Sequence, residues 1–294
     1  MDSLVIAICT RARPESLGRL LDCLAAQSWP PAVSVLVVDN DFAHSARAVV
    51  DAVAGAFPVE LDYVTQDIPG HATVRNTALD RVSANTAVCF VDDDAMLPPG
   101  WVASMRDEQF RQPTAVIRSR YLHVAQLPTA SEALTKLVDS VRISDLLPAG
   151  TSGLLLPASA VEEFRFDPYF DRSGAEDMDL LARLAARGYV QVLADAVVIE
   201  EDRVQVLTQA QQRELARWNG RLATIAMSRR GTSTLGFRLK ALLESASASA
   251  HAVVRFVLRR PQAGSAYRNL AVSRWAMVSA PLRPPASLPA RPVP

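Results

Sequence analysis

Cysteine, histidine and long apolar runs are scarce in this chain, and each shortage argues against a class of protein. The three Cys (Cys9, Cys23 and Cys89) have no metal-type spacing, which speaks against a disulfide framework and a thiolate metal site. Two of them lie inside apolar, strand-like runs and read as small core residues of a protein in a reducing, cytoplasmic compartment. The four His (His44, His71, His123 and His251) are scattered, so no His-based zinc motif is visible. No uncharged stretch reaches about 18 apolar residues, so no membrane-spanning helix is expected. Leu4–Cys9 is too short, and lacks the basic flank, for a signal peptide. Neither G-x-G-x-x-G after the first strand nor a Walker A motif occurs, which argues against dinucleotide-binding and P-loop chemistry.

Net charge is also missing, but only in the sum. Residues 1–202 hold 16 Lys and Arg against 29 Asp and Glu, a net of −13; residues 203–294 hold 15 against 2, a net of +13. Such a split suggests two segments with different partners, or a basic segment docked on an acidic one. With 49% hydrophobic residues in 294, the chain can build a large core as one α/β domain, alone or with an appendage.

Ala87–Trp101 (AVCFVDDDAMLPPGW) is the organising stretch. A continuous apolar run, Ala87–Val91, meets Asp92, Asp93 and Asp94, and Pro98-Pro99-Gly100 follows. That is the pattern of a strand covered on both faces, whose carboxyl end is where open α/β sheets bind ligands. Three adjacent carboxylates repel one another unless solvent or a cation relieves them. Asp-x-Asp at such a point suits Mg²⁺ or Mn²⁺ with substrate phosphates. An acidic surface loop is the plain alternative.

Around this stretch the chain reads strand, helix, strand in turn. Strands are expected at Leu4–Cys9, Ser34–Val38 and Val59–Val64. Helices are expected from Pro14 to about Gln27, over Ser45–Ala54, and from Gly70 through Leu79. Strands Ala115–Arg120, Leu154–Leu156 and Val192–Ile199 follow, with helices at Glu132–Ser144 and up to Gly188. Pro148–Gly153 reads as a small, flexible loop whose backbone could approach a ligand, or as a plain turn. The order predicts an α/β fold with a mostly parallel sheet and helices on both faces. Residues 207–230 read as an Arg-rich helix and Leu235–Leu258 as a basic amphipathic one, and a Pro-rich tail follows Pro281. The basic part suits an anionic membrane surface or internal docking; it shows no RNA-binding motif, so nucleic acid is not an expected partner.

Together these pieces resemble the family-2 glycosyltransferases of the GT-A fold, nearest the branch with succinoglycan-type exopolysaccharide glucosyltransferases. The resemblance rests on Ile8–Arg11 with Pro14, Val37–Asp41, Gly70 with Arg75-Asn76, Phe90–Asp94 with Gly100-Trp101, Gly174–Asp177 with Arg183 and Gly188, and Ala196–Glu200. It covers about residues 3–205, which it implies is the catalytic domain, with a donor half to about 100 and an acceptor half to 205; charge and composition add a basic helical extension over 206–280 and a Pro-rich tail from 281 expected to be disordered.

The resemblance further implies that Thr10, Arg11, Asp39, Arg75, Asp92 and Asp93 line the donor nucleotide. Asp92 and Asp94 would meet a divalent metal, Mn²⁺ or Mg²⁺, with Glu200 where many relatives have a His ligand. Asp177 would be the catalytic base and Glu176 would orient the acceptor. Many relatives carry a base-stacking Tyr after Thr10; here Arg11 and Arg13 stand there. The implied reaction is inverting transfer of a sugar from a nucleoside diphosphate to a saccharide, lipid-linked or small-molecule hydroxyl, at the cytoplasmic side. A sugar-1-phosphate nucleotidyltransferase shares the fold class, though Thr10–Pro14 lacks its Gly-rich loop. A membrane-surface scaffold is the non-enzymatic alternative, opposed by intact Asp92, Asp94 and Asp177.

Overall fold

The computed structural model describes residues 3–128, 131–142, 146–148, 150–201 and 208–228, with Val272, Ser273 and Ala276. Strands β1 (Ser3–Thr10), β2 (Val33–Asp39), β3 (Leu61–Thr65) and β4 (Thr86–Asp92) alternate with helices α1 (Pro14–Ala25), α2 (Arg47–Ala54) and α3 (His71–Arg81). Next come α4 (Trp101–Arg111), β5 (Val116–Val124), α5 (Ser131–Asp139), β6 (Leu147–Pro148) and β7 (Leu154–Leu156). The described elements close with α6 (Ala158–Glu163), α7 (Glu176–Ala186), β8 (Gln191–Glu201) and α8 (Gln209–Ser228). Local chemistry sets several ends. Pro14 opens α1, where its missing N–H costs nothing. Thr208 and Gln211 form a capping box at α8: the Thr208 amide donates to Gln211 Oε1 at 2.9 Å, and the Gln211 amide to Thr208 Oγ1 at 3.3 Å.

The sheet order is β3-β2-β1-β4-β7-β5-β6, with β8 also paired to β5. β1 is parallel to β2 and β4, β2 to β3, and β5 to β8; β7 is antiparallel to β4 and β5, and β6 to β5. All strands but β6 and β7 therefore run one way, as the sequence predicts.

Alternation along the strands supplies two apolar faces. Ile6, Ile8, Val35, Val37, Cys89 and Val91 pack with Leu17, Leu20, Leu21 and Leu24 of α1, Val50 of α2, and Trp101, Val102 and Met105 of α4. Ala7, Leu36, Val38, Val88 and Phe90 pack with Ala78 and Leu79 of α3, Val161 of α6, and Leu180 and Leu184 of α7. Each of the four fully buried Leu of α1 is worth roughly 1.5–3 kcal/mol in transfer from water, enough to seat that helix firmly.

Three expectations change in detail. α5 ends at Asp139, short of Ser144. β8 continues past Ile199 because it stays paired with β5 as far as Val124 opposite Glu201, so Glu200 is a strand residue. The turn before β7 is not an open loop: Thr151, Ser152 and Gly153 are buried. Gly153 is required there, since its φ is +78° and an added Cβ would collide with Ser119.

The chain forms two compact units, residues 1–168 with 180–202, and residues 169–179 with 203–294. In the second, Phe170 and Ile225 are buried together with Tyr169, Ala175 and Trp218 around them. The expected helix at Leu235–Leu258 and the tail after Pro281 lie outside the described residues.

Candidate active site

The strand order reverses at β1, which has β2 on one side and β4 on the other. In an open α/β sheet the crevice beyond the carboxyl ends at that point is the ligand site. The register sets Cys9 opposite Asp92, so Thr10 and the acidic triplet emerge side by side. Thr10 Oγ1 donates to Asp93 Oδ2 at 2.8 Å, and Arg13 Nη1 donates to Asp93 Oδ1 at 3.0 Å and Asp94 Oδ2 at 3.3 Å. Arg75 Nη2 reaches Asp92 Oδ1 at 3.4 Å. The chain thus brings two guanidinium groups of its own to the triplet. Burial raises the Asp93 pKa, against the opposing pull of Arg13 and Thr10. The three acids are not equivalent: the Asp93 side chain is 5% exposed, those of Asp92 and Asp94 36% and 19%.

Arg75 and Asn76 are held from behind. Asn76 exchanges two hydrogen bonds with the Phe166 backbone, at 2.9 and 2.8 Å, and the Arg75 guanidinium lies 5.7 Å from the centre of the Phe166 ring. Asp39 is wholly buried and accepts from the Asp41 and Ala46 amides, both at 3.0 Å, and from the Tyr63 hydroxyl at 2.9 Å. Burial and that carboxylate push the Tyr63 phenol up to about 12. Asn40 ties the loop after β2 to the one between β3 and α3: Nδ2 donates to the carbonyls of Gln66 (2.6 Å) and Ile68 (2.8 Å), and Oδ1 accepts the Gly70 amide at 3.0 Å. Arg11 is exposed, and its charge helps hold the Asp41 carboxyl low, after hydrogen bonds from Ser45 and Ala43.

Glu200 reaches the same crevice through tertiary pairing. Met96, just past the triplet, exchanges backbone hydrogen bonds with Ile199 at 2.8 and 3.0 Å. Burial, then the negative charge of Asp92 and, more weakly, of Asp94, push the Glu200 carboxyl up to about 8, while hydrogen bonds from Tyr121 and Ser152 oppose the rise. Ser152 also accepts the Asp92 amide at 3.2 Å, so its hydroxyl links the two acids. Glu200 Oε1 is buried with no hydrogen-bond partner. Among the described residues no group of three His, Cys, Asp or Glu side chains closes around a metal position. Tyr121 carried no sequence signal, and Ser152 only that of a small loop able to approach a ligand; strand pairing is what brings both to Glu200.

Glu176 and Asp177 belong to the second unit, at the start of α7. Glu176 is buried and Asp177 half-buried, and Asp177 Oδ1 accepts the Met178 amide at 2.7 Å. Thr10, Arg13, Arg75, Asp92, Asp93, Asp94 and Glu200 are brought together in the first unit, with Asp39 beneath the adjoining loop.

Comparison with known proteins agrees with this architecture. The sequence profile of Glycosyl transferase family 2 matches residues 3–137, and that of Glycosyl transferase family group 2 matches residues 87–279, more than half of the chain. Succinoglycan biosynthesis protein ExoM of Rhizobium meliloti is 27% identical over 191 residues, 62% of this chain; the chain spans 61% of that relative's length. Among solved structures, the mannosyltransferase PcManGT of Pyrobaculum calidifontis, in complex with GDP-Man and Mn²⁺, superposes with a TM-score of 0.64 at 15% identity, covering 94% of this chain and 86% of that one. TarS 1-349 of S. aureus in complex with UDP-GlcNAc gives 0.53 at 15% identity, over 94% and 91%. These two share the fold. The chain belongs to the family-2 glycosyltransferases.

Proposed function

We propose that the chain transfers a sugar, with inversion, from a nucleoside diphosphate sugar to an acceptor hydroxyl, in the synthesis of an exopolysaccharide, glycolipid or other glycoconjugate. The observation that carries this is the crevice at the β1–β4 switch point, where Thr10, Arg13, Arg75, Asp92, Asp94 and Glu200 meet. Thr10, Arg11, Arg75 and Asp92 would face the nucleotide over a floor braced by Asp39 and Asp93. Asp92, Asp94 and Glu200 would hold a divalent cation, Mn²⁺ or Mg²⁺. The fit rests on the partnerless Oε1 of Glu200 and on the mutual repulsion of the three carboxylates, which suit a hard cation that keeps waters and phosphate oxygens as its other ligands. When bound, the cation supplies charge neutralisation for the departing nucleoside diphosphate.

Asp177 takes the proton from the acceptor hydroxyl and Glu176 orients that acceptor; with direct displacement no covalent nucleophile is needed. The basic residues 203–294 hold the enzyme at the inner, anionic face of a membrane, where a lipid-linked acceptor would lie. The test is a screen of nucleotide sugars for hydrolysis and transfer, with Mn²⁺ or Mg²⁺. Release of nucleoside diphosphate is expected. Pyrophosphate release from a nucleoside triphosphate and a sugar 1-phosphate would instead favour the nucleotidyltransferase, and inertness toward every donor would favour a scaffold.

A further inference from the structure

The segment that carries Glu176 and Asp177 lies in the compact unit that contains α8. The chain turns about the Phe170 carbonyl, which accepts the Ser173 and Gly174 amides, both at 3.1 Å. Gly174 and Ala175 then take left-handed backbone in succession, at φ +75° and +76°. Glycine adopts that region freely; alanine adopts it at a cost, and such strain persists only where surrounding contacts enforce it.

Helix α8 provides those contacts. Phe170 is buried against Ile225, with Ala175 and Trp218 packed on the pair, so the strained alanine is part of the cluster. The Trp218 indole Nε1–H donates to the Ser173 carbonyl at 3.1 Å, directly before the two left-handed residues. α8 is itself backed closely, since a Cβ on Gly220 would run into the main chain of Ser273.

We propose that α8 is the seat of the 169–179 segment and that Trp218 is a positioning residue, which fixes the direction of Asp177 by holding the backbone ahead of it. The proposal rests on the reading of Asp177 as general base. A base works only within hydrogen-bond reach of its proton, and a displacement of about 1 Å can cost about 10²-fold in rate. The helix of the basic C-terminal part therefore serves the reaction, whatever else that part binds.

The test uses the full chain with Trp218→Phe, which removes the indole N–H and keeps a ring in the cluster. Amide hydrogen exchange should quicken at Ser173–Ala175. Affinity for UDP and GDP with Mn²⁺, measured calorimetrically, should stay at the wild-type value. Turnover of the nucleotide sugar selected by the screen should fall about tenfold at saturating substrate. Combined with Asp177→Asn, Trp218→Phe should slow the reaction no further. Unchanged exchange, or slowing that adds fully to that of Asp177→Asn, overturns the proposal. If Asp177→Asn alone turns over like wild type, the base assignment falls, and the exchange result by itself decides whether α8 seats the segment.

Discussion

Of the three adjacent acids, Asp93 is turned to Thr10 and Arg13 inside the protein, which leaves Asp92 and Asp94 as the pair open to the crevice. The Arg13–Asp94 pair is half-exposed, and such pairs contribute about 0–1 kcal/mol, so Asp94→Ala should leave the melting temperature nearly unchanged. It should abolish Mn²⁺-dependent binding of nucleoside diphosphate; calorimetry that finds wild-type affinity would remove Asp94 from the metal assignment. Asp177→Asn should keep that binding and lose about 10²–10⁴-fold in turnover, read in the same assay. Glu200 gives a pH signature in chelator-treated protein. Its folded pKa, about 8, stands above its ordinary value of 4.5, so the folded state holds the proton more tightly than the unfolded one. Stability therefore falls as pH rises from about 4.5 through about 8, by an amount on the order of a few kcal/mol. Glu200→Gln should flatten that slope in denaturant titrations, whereas parallel wild-type and variant curves would refute the burial argument.

Elements explain why side chains distant in sequence meet. The short strand β7 joins β4 to β5, and the turn before it carries Ser152 to both Asp92 and Glu200. That turn depends on Gly153, whose amide donates to the Phe90 carbonyl at 2.7 Å. Gly153→Ala would force a left-handed alanine into the Ser119 side chain. A loss of at least about 2 kcal/mol is expected, from backbone strain and overpacking together. Chemical denaturation measures it, and a midpoint equal to wild type would mean the turn can move aside. The Arg75-Asn76 pair follows the same logic: Asn76 grips the Phe166 backbone, and Arg75 is thereby aimed from α3 at Asp92.

At the scale of the whole molecule, the charge split remains the main lead to partners. Among the described residues no helix is long and apolar enough to cross a membrane. The net +13 over residues 203–294 motivates the proposed surface attachment, since each basic residue held near an anionic leaflet contributes about 1 kcal/mol. The full chain should co-sediment with anionic vesicles at low salt and not with neutral ones. Attachment should weaken above about 0.1 M salt, where screening acts beyond roughly 10 Å. Indifference to anionic vesicles at low salt would mean that these charges are spent within the protein.

The sequence by itself determined the alternating α/β order, the strands covered on both faces, and the acids at the end of β4. Those features are periodic or contiguous, and local sterics with apolar patterning are enough to impose them. It also marked α8, through the spacing of Leu207, Leu215, Trp218, Leu222 and Ile225, while the Thr208–Gln211 cap that starts the helix came only with the structure. What the sequence could not weigh was which acids are buried, because Asp92, Asp93 and Asp94 are identical letters distinguished only by what packs on each. The antiparallel insertion of β7, the link from Ser152 to Glu200, and the support of the Asp177 segment by Trp218 are likewise long-range pairings. Each joins residues 45 or more positions apart, and only the packed chain decides them.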